Sequence, residues 1–83
     1  MHVQYSKESL KTLRSVDTKT AKLIRDKILQ LASEPRSLKN NIKKLKGAKD
    51  IYWLRVGDWR VLYREDGTIL SILKIGARSG VYR

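Results

Sequence analysis

Residues 51–64, Ile-Tyr-Trp-Leu-Arg-Val-Gly-Asp-Trp-Arg-Val-Leu-Tyr-Arg, bring two arginines to where they can act on one anion. Two strand-like runs flank Gly57-Asp58, and a two-residue loop with glycine first predicts a type II′ hairpin turn. Pairing Val56 with Trp59 then sets Arg55 against Arg60, Leu54 against Val61, Trp53 against Leu62 and Tyr52 against Tyr63. Alternation sends Tyr52, Leu54, Val56, Trp59, Val61 and Tyr63 to one face, the expected core. Arg55 and Arg60 fall directly opposite each other on the other face. Like charges placed this way repel and weaken a sheet. Either a bulge separates them, or an anion sits between two guanidinium forks. Phosphate is the group such forks hold best.

The elements that must position this pair are legible on either side. His2-Val3-Gln4-Tyr5 alternates and predicts a first strand. Ser6 is placed to cap a helix from Lys7 to about Val16, with Glu8 favouring its positive end. Leu10 and Leu13 form its apolar stripe. Asp17 or Thr18 caps a second helix to about Ser33, on which Ala21, Ile24, Ile28 and Leu31 recur at helical spacing and Leu23 and Ala32 widen the stripe. Glu34-Pro35 ends it, because the residue before proline resists the α conformation. Residues 36–50 read as a connector tied to the core by Ile42 and Leu45. After the hairpin, Asp66-Gly67 signals a type I′ turn that would set Tyr63 against Leu70, Val61 against Ile72 and Arg60 against Leu73. A last strand then runs from about Ile69 to Ile75.

The expected fold is therefore α+β in a single domain spanning residues 1–83: one N-terminal strand, a helical hairpin, then a three-stranded antiparallel meander, with the helices on one face of a small sheet. The other face would carry Ile51, Trp53, Leu62, Ile69, Leu73 and Ile75 among its arginines, an apolar area of the kind that marks a binding surface.

Charge narrows the function. Nineteen Lys and Arg against eight acids give a net charge of +11 in 83 residues. That balance points to a polyanionic partner, nucleic acid first. The connector alone carries Arg36, Lys39, Lys43, Lys44, Lys46 and Lys49 against Asp50, and reads as a segment that tracks phosphates without reading sequence. There is no cysteine and one histidine, His2. Disulfides, a thiolate metal site and a histidine-based triad are excluded, and no metal or other cofactor is expected. No apolar run approaches the roughly 18 residues needed to span a bilayer, and no apolar signal region opens the chain. A cytoplasmic protein without a membrane partner is expected.

Several fragments, in order and at matching spacing, resemble one family. They are Lys43-Lys44-Leu45-Lys46-Gly47, the run from Tyr52 to Tyr63, Ile75-Gly76-Ala77-Arg78, and Val81-Tyr82-Arg83. Together they resemble the RelE/ParE superfamily of toxin–antitoxin toxins, most of all its RelE branch, over nearly the whole chain. The resemblance implies a toxin that cleaves messenger RNA, typically in the decoding (A) site of a translating ribosome, and a cognate antitoxin protein that blocks it. It implies that Arg55, Arg60, Arg78 and Tyr82 surround the scissile phosphate. The implied chemistry is metal-independent attack of a ribose 2′-hydroxyl on its adjacent phosphate. Arg60 and Arg78 would bind phosphate, Arg55 would add charge, and Tyr82 would orient the 2′-hydroxyl, stack on a base or act as base. Lys39, Lys43, Lys44, Lys46 and Lys49 would hold RNA backbone. Trp53 would stack on a base or lie under the antitoxin. RelE has lysines at the positions of Trp53 and Arg55, so the general base stays open here. Two alternatives stand beside this reading: a ParE-like gyrase inhibitor, and an RNA-binding homologue without catalysis.

Overall fold

The computed structural model describes residues 1–77. Strand β1 (His2–Tyr5) leads into helices α1 (Lys7–Ser15) and α2 (Thr18–Ser33), and a 3₁₀ helix (Pro35–Asn41) follows. Strands β2 (Ile42–Lys44), β3 (Ile51–Val56), β4 (Trp59–Glu65) and β5 (Ile69–Ala77) come next. They form one five-stranded sheet in the order β1-β5-β4-β3-β2, with β1 parallel to β5 and the other pairs antiparallel. The α+β class and the helical hairpin over one sheet face are as expected. The strand count is not. The connector supplies a fifth strand, β2, whose Ile42 and Lys43 pair with Leu54 and Trp53. Lysine-rich and three residues long, β2 has a sequence that reads as loop, and it is extended because β3 offers it an edge.

Local chemistry explains both helices. Ser6 Oγ accepts from the Ser9 amide at 3.1 Å and starts α1. Asp17 accepts from the Thr20 amide at 3.1 Å and from the Thr20 hydroxyl at 2.5 Å, and starts α2. Both cap residues satisfy N–H groups that a helix start leaves without partners. Leu13 of α1 and Ile24, Ile28, Leu31 and Ala32 of α2 pack on Leu54, Val56, Val61, Tyr63, Leu70, Ile72 and Ile75 of the sheet. Each such apolar side chain stabilises the fold by about 1.5–3 kcal/mol when fully buried. Leu23 does not join them. It is 48% exposed and Leu29 is 58% exposed, so the stripe of α2 is narrower than its leucines suggest.

The β4–β5 register departs from expectation twice. Asp66 Oδ1 accepts from the amides of Thr68 and Ile69, at 2.9 and 2.8 Å, and only Gly67 in this loop has positive φ, at 92°. A type I′ turn needs positive φ at both central residues. The carboxylate instead holds a wider loop, and Tyr63 pairs with Ile72 rather than Leu70. A bulge then follows: Tyr63 pairs with Ile72 but Leu62 with Lys74, leaving Leu73 as the extra residue. Its carbonyl accepts from Ser6 Oγ at 2.8 Å. Because side chains alternate, one extra residue reverses the faces beyond it. Ile75, expected on the face away from the helices, enters the core at 2% exposure. Lys74 takes the opposite face.

Candidate active site

The Gly57-Asp58 turn places the arginines. Gly57 has φ 59° while Asp58 is not in the positive region, as a type II′ turn requires. The β3–β4 register is unbroken: Ile51 with Arg64, Tyr52 with Tyr63, Trp53 with Leu62, Leu54 with Val61, Arg55 with Arg60 and Val56 with Trp59. Tyr52 and Tyr63 stack on the helix side with ring centroids 5.6 Å apart. Arg55 and Arg60 therefore do oppose each other on the open face, with no bulge between them.

The two differ in freedom. Arg60 is 7% exposed, and its Nη1 donates to the Gly57 and Trp59 carbonyl oxygens, each at 3.0 Å. The hairpin backbone thus fixes this guanidinium. Gly76 lies opposite Arg60 on the β5 side and presents no side chain to crowd it. Arg55 is exposed and makes no ion pair with any described residue. One guanidinium held by the backbone and one exposed thus stand side by side on this face.

The next row of the open face runs Lys43, Trp53, Leu62, Lys74 across four strands. Trp53 is 7% exposed. Its ring therefore presents little surface on this face. Leu62, Ile51, Ile69 and Leu73 are half-buried, so the broad exposed apolar area expected on this face is not there. Lys39 at the end of the 3₁₀ helix, Lys43 on β2, and Lys46 and Lys49 in the β2–β3 turn are all exposed. Lys44 is exposed too, but it pairs with Tyr52 and belongs to the helix-side face. Arg78 and Tyr82 lie outside the described residues. Lys74 is the residue of this face that the alternation pattern missed.

A concave feature lies apart from this face. A cleft of about 510 Å³ between the helices is lined by Leu13, Val16, Ala21 and Leu29, with Arg14 and Arg25 on it.

A model of the ParE toxin family of type II toxin–antitoxin systems, parDE, matches residues 3–82. The chain belongs to that family. It is thus a type II toxin of the RelE/ParE superfamily. The toxin is 34% identical over 85 residues to a protein of Methanocaldococcus jannaschii that bears the name toxin RelE1, covering 99% of this chain and 94% of that one. Its fold matches the archaeal RelE–RelB complex from Pyrococcus horikoshii with a TM-score of 0.79 at 27% identity, covering 96% of this chain and 97% of the other. The isolated Escherichia coli RelE toxin shares the fold at a TM-score of 0.75 and 22% identity, covering 98% and 89%. The toxin is RelE-like in its relatives, although the family model takes its description from ParE.

Proposed function

We propose that the toxin is an endoribonuclease that cuts messenger RNA in the ribosomal A site by attack of a 2′-hydroxyl on the adjacent phosphate, leaving a 2′,3′-cyclic phosphate and a 5′-hydroxyl. The observation that carries this reading is the directly opposed Arg55–Arg60 pair. Two like charges in register on one face, one of them without a carboxylate partner among the described residues, are stabilised by an anion between them. A transferring phosphate gains charge on its oxygens as it reacts, and preorganised guanidinium groups favour that state over the ground state. Arg60, held by backbone carbonyls, is the positioned group, and Arg55 adds charge. Arg78 and Tyr82 complete the site in this reading, Tyr82 orienting or deprotonating the 2′-hydroxyl. The cations of residues 39–49 hold ribosomal or messenger RNA backbone. A cognate antitoxin neutralises the toxin, as RelB is found with RelE in the P. horikoshii complex.

Primer extension on messenger RNA in stalled ribosomes, with and without the toxin, tests the reading. Cuts confined to the A-site codon and absent on naked RNA are expected. Arg60→Ala and Tyr82→Phe should each lower the cutting rate by about tenfold or more while the fold is kept. Absence of cuts on both substrates would overturn the nuclease reading. The family model carries the ParE name, and the resemblance to the ParE branch gives a second reading, inhibition of DNA gyrase without nuclease chemistry. A gyrase supercoiling assay separates the two, with no inhibition expected.

A further inference from the structure

Arginine leaves one step of the proposed reaction unserved. When the bond from phosphorus to the 5′-oxygen breaks, that oxygen departs as an alkoxide and needs a proton. A guanidinium essentially never gives one up. The arginines of the open face, Arg55, Arg60 and Arg64, cannot supply it, so the donor must be a residue of another type.

We infer that Lys74 is the general acid that protonates the 5′-oxygen leaving group, an inference that rests on the nuclease reading above. The bulge at Leu73 turns Lys74 onto the open face, opposite Leu62. It stands one row from Arg60, the diagonal relation in which Cα atoms of neighbouring strands lie about 7–8 Å apart. Side chains of lysine length span that gap. Gly76, two residues on and opposite Arg60, places no side chain between them. Lys74 is half-buried, yet it makes no hydrogen bond or ion pair with any described residue. A half-buried ammonium without a counter-ion among the described residues, beside the two guanidiniums, fits a position that takes an anionic substrate. Lys43, at the other end of the row, is a weaker candidate. It is exposed, on a three-residue edge strand, and adjoins the exposed member of the pair, Arg55, rather than the one held by the backbone.

The step balances without any further reagent. The 2′-oxygen forms a bond to phosphorus and its proton leaves to solvent water. The bond from phosphorus to O5′ breaks, and its electron pair takes a proton from Lys74 Nζ. The products are the 2′,3′-cyclic phosphate and a 5′-hydroxyl, and the neutral amine regains a proton from water.

The test uses a synthetic messenger RNA whose A-site codon carries sulfur in place of the 5′-bridging oxygen, read beside the ordinary RNA on stalled ribosomes. A thiolate leaves without protonation, since thiols ionise near pH 8.5 whereas alcohols do not. Lys74→Met and Lys74→Arg should both cut the oxygen substrate about 100-fold or more slowly than the unaltered toxin, the range of a lost general acid. Both should cut the sulfur substrate within a few-fold of it. Lys74→Arg keeps charge and length, so it carries the test if Lys74→Met does not fold; circular dichroism checks each. Full activity of Lys74→Arg on the oxygen substrate would mean a charge role only and would overturn the assignment. So would loss on the sulfur substrate, or normal activity of Lys74→Met. If the unaltered toxin cuts neither RNA, the nuclease reading itself fails and takes the assignment with it.

Discussion

The two arginines of the fork are not equivalent, and substitution should show it. Arg60 uses Nη1 on two backbone carbonyls and is nearly enclosed. A lysine cannot reproduce those bonds and still present donors to phosphate, because the rigid planar fork is lost. Arg60→Lys should therefore lower A-site cutting by about tenfold or more, whereas Arg55→Lys, at an exposed position, should stay within about threefold, as in sites where only charge is asked. Single-turnover cutting rates of the two variants decide this, and equal losses would mean that both guanidiniums bind as forks. Trp53 gives a prediction of a different kind. Its ring is buried, so Trp53→Ala should lower stability by about 3 kcal/mol or more through the cavity it leaves, measured by denaturant unfolding. An RNA-stacking role would instead leave stability unchanged.

At the scale of elements, two buried or capping groups set how the fold responds to pH. Burial, with smaller contributions from Glu65 and Tyr52, raises the Tyr63 phenol well above its ordinary value. An unfolded tyrosine ionises near pH 10 while the folded one stays neutral. Stability held below pH 10 should thus fall as pH rises past it, and Tyr63→Phe should flatten that fall in urea melts between pH 9 and 11. On the acid side, hydrogen bonds from the Thr20 hydroxyl and amide hold the Asp17 carboxyl below its ordinary value. Its contribution is present above about pH 4 and is lost as pH drops further, and Asp17→Asn should remove that dependence. The hairpin, its turn, its register and the Ser6 cap were readable because each is written in neighbouring residues, and the cap of α2 was narrowed to Asp17 or Thr18. The β4–β5 register was not, because it depends on a distant serine and on one aspartate holding two amides. A signal for the bulge was nonetheless there. Strict alternation would drive Lys74 into the core and Ile75 out of it, and lysine is almost never fully buried. A break in phase between Ile72 and Ile75 resolves both misfits at once. Strand β2 left no such mark, since its lysines read equally as loop.

For the whole molecule, the charge of +11 means that the proposed binding to RNA should depend steeply on salt. Affinity for single strands should fall with a log–log slope of about −0.7 per phosphate engaged. Replacing Lys46 and Lys49 together by glutamine should make that slope shallower by about 1.4 without changing the pattern of cuts, since backbone contacts carry no sequence information. Titrations of ribosomes from low to physiological salt measure it. An unchanged slope would take those two lysines out of the RNA contact.

The sheet order also has a consequence in time. Strand β5 lies between β1 and β4, so Val3 at the start of the chain pairs with Leu70 near its far end. Until β5 is made, β1 has no neighbour and the core lacks Leu70, Ile72 and Ile75. Such a long-range pairing comes late and slowly in folding. A fragment ending before Ile69 should show no cooperative melt. The toxin can therefore fold only once β5 has been made, however early its helices and hairpin are synthesised.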